Sequence, residues 1–114
     1  MSISTDEIFE KIMEAAEGAF KDGWESVRTY APAEFRKMAI QLAEIAQNVA
    51  LYKIDSSRGY SEETGKILFQ MQRTACESVF VGVTLLTLIA VQDAINTIIK
   101  VLKDTFGGAV SAVL

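Results

Sequence analysis

The apolar positions of the chain fall into three stretches of helical rhythm, separated by short breaks near Pro32 and over "DSSRGY", residues 55 to 60. In the first stretch Ile8, Ile12, Ala16, Ala19, Phe20, Trp24 and Val27 recur at steps of three and four, the spacing of one buried helix face. Ser4 and Glu7 are spaced as a capping box, with Ile3 and Ile8 placed to staple across the first turn. A first helix is therefore expected over about 5–29. It should weaken at Gly23 and end before Pro32, because a residue preceding proline is biased away from helical geometry.

Pro32 suits the first position of a new helix, where its missing N–H is no loss, and Glu34 complements the positive end of the helix dipole. A second helix is expected over about 32–54, with Phe35, Ala39, Leu42, Ala46 and Val49 on one seam and Met38, Ile45 and Tyr52 on an adjacent one. Two seams imply two packing neighbours. Ser61 followed by Glu62 and Glu63 reads as the cap and first turn of a third helix, with nothing to break it before Gly107 and Gly108. Over 62–105 it would hold roughly forty-four residues and measure about 66 Å. A compact monomer of this size has a radius of gyration of only about 13 Å. Such a helix must bend, with Gly82 or the Gln92 region as candidates, or project into an assembly.

The third stretch contains "ESVFVGVTLLTLIAVQDAI", residues 77 to 95, which carries no charge between Glu77 and Asp93. Its large residues Val79, Phe80, Val81, Val83, Leu85, Leu86, Leu88, Ile89 and Val91 surround any helix built from it. One antiparallel neighbour shields about half of a helix surface, so about four of these side chains would stay wet, at a loss of about 6–12 kcal/mol.

Three sources of cover can be weighed. The first is the chain's own first and second helices, which together barely match the third in length. The second is another copy of the chain, with Gly82, Thr84, Thr87 and Ala90 small enough for close helix approach and the tail "FGGAVSAVL", residues 106–114, docked on a neighbour. The third is lipid, as in a holin-like or pore-forming helix. The uncharged run from Ser78 to Gln92 is shorter than the roughly twenty residues that span a bilayer, and extension to Ile99 would place Asp93 inside. Self-association is the expectation, with Val81, Leu85, Leu88, Ile89, Ile95 and Leu114 as the oligomer interface.

Charge narrows the partners. The net charge of −4 is concentrated at the start, where seven acids face only Lys11 and Lys21 within residues 1 to 25. The rest is close to neutral without a basic cluster, so nucleic acid is not expected as a partner. Glu7, Glu10, Glu14 and Glu17 read as a solvated face. Cys76 is the sole cysteine, which excludes an internal disulfide and leaves only one between subunits. The first residues lack the basic start and apolar core of a signal peptide, so the expectation is a cytoplasmic protein or one carried in a particle assembled there.

Catalytic chemistry is sparse. There is no histidine, which removes the commonest general base and metal ligand. Cys76, followed by an acid and an apolar run, reads as an inert core thiol. Trp24 and Tyr30 read as core before partner anchors, and Gln92, Asn96 and Thr97 as a polar face that fixes register. Glu44 and Glu77 sit among apolar residues on two helices, and "AIQLAEIAQNVALY" followed by "FQMQRTACESVFV" resembles half of a ferritin-like repeat over less than half the chain. That resemblance implies a carboxylate metal site in a helical bundle. The residue three after Glu77, a histidine ligand in that family, is Phe80 here.

The sequence thus leads to an all-α, three-helix subunit. Its second and third helices would form an antiparallel hairpin, and its apolar third helix would drive assembly into a helical-bundle oligomer. The expected role is structural and non-enzymatic, without cofactor, metal or small-molecule substrate. The membrane-active and the ferritin-like readings stand as alternatives.

Overall fold

Ser4 opens the first helix by accepting a hydrogen bond at its hydroxyl from the Glu7 N–H, at 3.2 Å. The computed structural model describes residues 4–114, and the expected staple partner Ile3 lies outside them. From this cap α1 runs over Thr5–Phe20 with Ile8, Ile12, Ala16 and Phe20 buried. It ends nine residues short of the expected 29. Lys21 takes φ 54°, which directs the chain out of the helix into a 3-10 turn, Lys21–Gly23, and a single helical turn, α2, Trp24–Val27. The apolar rhythm continued past Phe20 because Trp24 and Val27 still reach the core, but they do so from a separate turn.

α3 spans Ala31–Ile54 with Pro32 in its first turn. It buries both expected seams except Tyr52, which is exposed. Asp55 closes the turn that follows by accepting from the Ser57 hydroxyl and N–H, and these bonds hold its carboxyl below the ordinary range. Gly59, at φ 66°, lies so close to the Asn48 carbonyl that a Cβ would stand 2.0 Å from its oxygen. Only glycine satisfies both demands. Ser61 then caps α4, Glu62–Val83, as expected.

The expected forty-four-residue helix is broken. α4 stops at Val83 and α5, Leu88–Thr105, begins after four intervening residues. The break lies at neither expected candidate, Gly82 or Gln92, but between two threonines. The Thr84 hydroxyl donates back to the Phe80 carbonyl at 2.7 Å and accepts from the Leu86 N–H at 3.1 Å. The Thr87 hydroxyl accepts from the Ala90 N–H, also at 3.1 Å, and so caps a new helix. The apolar tail holds one further helix, α6, Gly108–Val113. All the described elements are helical, five of them longer than one turn rather than three.

α1, α3, α4 and α5 form a bundle in which α3 and α4 are the expected antiparallel hairpin. Gly65 packs against Ile45 and Val49, while Lys53 pairs with Glu62 at 3.3 Å. α5 folds back along α4 and lies against α1, with Gly23 beside Leu86 at one end. The rings of Phe20, Phe35 and Phe80 meet at 5.3–6.4 Å between centroids, joining α1, α3 and α4. α6 returns to α3 and α4 with Val110 and Val113 buried. The tail therefore docks on its own chain. The molecule measures 45 × 21 × 20 Å, which a straight helix of about 66 Å would exceed.

Candidate functional site

Breaking the helix gives each half one buried face. Cys76 and Phe80 point inward from α4, and Val91, Ala94, Ile95, Ile98, Ile99 and Leu102 from α5. Of the nine large residues that seemed to need cover, four remain in water: Val83, Leu85, Leu88 and Ile89. Leu85 is fully exposed at 101 % and Ile89 is exposed at 71 %. They are grouped at the α4–α5 turn, where the threonine hydrogen bonds fix the backbone that presents them.

The six residues expected to make the oligomer interface separate accordingly. Leu85, Leu88 and Ile89 lie together on this exposed tip. Ile95 is buried in its own chain's core, because it lies on the inner face of α5 with Val91 and Ile98. It is not available to a neighbour. Val81 and Leu114 are half-buried against the same core.

The two candidate metal carboxylates point to different places. Glu77 is buried, at 4 % exposure, and accepts from the Arg73 Nε at 2.9 Å. Arg73 also donates to the Asn96 side-chain oxygen, so the predicted polar face of the last helix includes a residue that ties α5 to α4. Glu44 is exposed and lines a groove of about 460 Å³ between α3 and α4 with Gln41, Tyr60, Leu68, Met71 and Gln72. Burial, and secondarily the Glu44 charge, push the Tyr60 phenol up from its ordinary value. Among the described residues no three histidine, cysteine or acidic side chains are grouped so as to hold a metal ion.

A second hollow, of about 710 Å³, lies where α1 begins and α5 gives way to α6. Glu7, Gln47, Leu51, Ile54, Phe106 and Val110 are among its walls, and Glu7 is the one titratable side chain lining it. Cys76 is buried, and its thiol is pushed up to about 12 first by burial and then by the charges of Glu34 and Glu77. Such a thiol remains protonated and unreactive at neutral pH. Sequence reasoning missed the groove residues Leu68, Met71 and Tyr60; the only signal available was the unbroken apolar rhythm of "KILFQM" on a helix with a single inward face.

No helix among the described residues is long and apolar enough to cross a membrane. Comparison with protein-family models, with curated proteins and with solved structures found no match.

Proposed function

We propose that this chain is a non-enzymatic structural subunit that assembles with copies of itself through the apolar tip between α4 and α5, as a component of a larger particle. The observation that carries this reading is the full exposure of Leu85 beside Val83, Leu88 and Ile89 on a hydrogen-bonded turn. Burying Leu85, Leu88 and Ile89 against a neighbour would contribute about 1.5–3 kcal/mol each. A rigid turn adds to this, since little conformational entropy is lost when it docks.

The chemistry of the chain supports the same direction. Without histidine, and with its only thiol buried and protonated, it offers no nucleophile paired with a base. Its acidic balance gives no attraction for a phosphate backbone, so the partners are proteins rather than nucleic acid.

The test is the molar mass of the purified chain by size exclusion with light scattering, for the wild type and for Leu85→Glu and Leu88→Glu. A discrete multimer that the substitutions reduce in mass is the expected result. Unchanged mass in both variants removes the reading. Recovery of the wild type only in the membrane fraction, or binding of the wild type but not Leu85→Glu to lipid vesicles, would replace it with a membrane-active one.

A further inference from the structure

We infer that the apolar tip of one copy seats in the hollow at the opposite end of the next, so that copies of this chain join head to tail. The inference rests on the self-association reading and names the surface that receives the tip. The two features lie at opposite ends of the bundle. α5 begins at the tip with Leu88 and reaches the hollow at Thr105, two points about 26 Å apart at 1.5 Å per residue. The antiparallel hairpin agrees. α4 ends at the tip with Val83, whereas its start, where Glu62 pairs with Lys53, lies beside the last turn of α3 that walls the hollow. A tip therefore cannot fill the hollow of its own chain.

The hollow offers what the tip lacks. Its volume of about 710 Å³ falls in the range of clefts that enclose a drug-sized ligand, which leaves room for aliphatic side chains such as those of Leu85 and Leu88. Leu51, Phe106 and Ala109 are half-buried in its walls, and Ile54 stands 86 % exposed at the end of α3. A two-fold pair of tips would cover Leu85, Leu88 and Ile89 but leave Ile54 and the hollow in water on both copies. One head-to-tail contact removes both apolar features from water at once.

Helix polarity supports this orientation. The tip joins the negative end of α4 to the positive start of α5, and the hollow joins the positive start of α1 to the negative ends of α3 and α5. Each pole of the tip thus finds its opposite in the hollow, where Glu7 adds a further negative charge. The bundle is 21 × 20 Å across, so the backbone outline of an end face is about 400 Å² per copy, the scale of a reversible, concentration-dependent contact. A link between two unlike surfaces leaves a free tip and a free hollow at the ends of any row of copies. Addition therefore continues until the rotation between copies closes a ring.

The test measures molar mass over a concentration series for the wild type, Leu85→Glu, Ile54→Glu and an equimolar mixture of the two variants, each variant checked for helicity by circular dichroism. Both substituted side chains are exposed, so the fold should survive. Each variant alone should run as the monomer. The mixture should double that mass and go no further, because one sound tip meets one sound hollow and the two remaining ends are both damaged. A mixture that stays monomeric at concentrations where the wild type is assembled, or that grows beyond a dimer, overturns the proposal. If Ile54→Glu keeps the wild-type mass while Leu85→Glu loses it, the tip reading stands and the hollow is not its partner. Leu85→Glu at wild-type mass, or a wild type that is monomeric throughout, removes both.

Discussion

Arg73 and Glu77 stand one helical turn apart on α4, and the guanidinium donates to the carboxylate at 2.9 Å where that acid is almost out of contact with water. Side chains exposed at only 16 % and 5 % make this unlike the surface pairs on α1 and α3, such as Lys11 with Glu14. A buried pair adds little net stability as a unit, but removing one member strands the other.

Arg73→Ala is accordingly expected to destabilise the fold by about 3–5 kcal/mol, because the Glu77 charge loses its counter-ion and Asn96 loses its donor. Arg73→Ala combined with Glu77→Leu should recover much of that loss. Urea unfolding followed by circular dichroism measures both. A single variant within about 0.5 kcal/mol of the wild type, the range of an ordinary surface substitution, would show that the pair is solvated.

Cys76 makes stability depend on alkaline pH. Its thiol is raised from an ordinary 9.0 to about 12, so above pH 9 the unfolded chain releases a proton that the folded chain retains. Stability from this group is complete below pH 9 and declines up to pH 12, by about 1.4 kcal/mol per pH unit. Cys76→Ala should flatten the curve in that window relative to the wild type. Equal slopes for the two proteins would contradict the assignment.

Lys21 carries a positive φ of 54° with ψ at −123°, a conformation that only glycine adopts without strain. Lys21→Gly is expected to stabilise the protein by about 1 kcal/mol, since the relieved strain exceeds the entropy that glycine adds to the unfolded chain. A thermal midpoint no higher than that of the wild type would refute this.

Gly65 packs α4 against both α3 and α6. A Cβ there would stand 2.8 Å from a Val49 methyl and 2.9 Å from one of Val113. Gly65→Ala should cost about 1–3 kcal/mol by overpacking. Val113→Ala should offset part of it, and a double-mutant cycle reads that coupling as the hold of α6 on the bundle. Strict additivity would mean that α6 does not press on Gly65.

The parts of this fold legible in the sequence were those announced by polar punctuation. Ser4 with Glu7, Pro32, and Ser61 with Glu62 set the starts of three helices to within a residue of where they begin. The turn over 55–60 and the α3–α4 hairpin followed from them. The stop at Phe20 was hidden because Lys21, a good helix former, bears the reversal. The break over 84–87 was hidden for a different reason: its signals are two threonine hydroxyls inside an apolar run without glycine or proline between them. Taking that run as one helix made its greasiness seem to extend all round. Once divided, it has an inner face containing Ile95 and an outer tip containing Leu85, and only the latter offers a neighbour anything to touch. Of the two carboxylates weighed for a metal, Glu77 instead pairs with Arg73 of its own helix.

The threonine-capped interruption also sets an order of assembly within the single chain. Because α5 can fold back on α4 as soon as both exist, three of the four seams of the bundle join elements that follow one another closely: α1 with α3, α3 with α4, and α4 with α5. The seam between α1 and α5 alone closes over nearly the whole chain, and it bears the largest loop-closure entropy. That seam should form last on refolding and open first in native-state hydrogen exchange, with amides of α1 exchanging through a smaller unit than those near Phe35 and Phe80. The Thr84–Thr87 turn thus lets the apolar second half of the chain close on itself through contacts short in sequence.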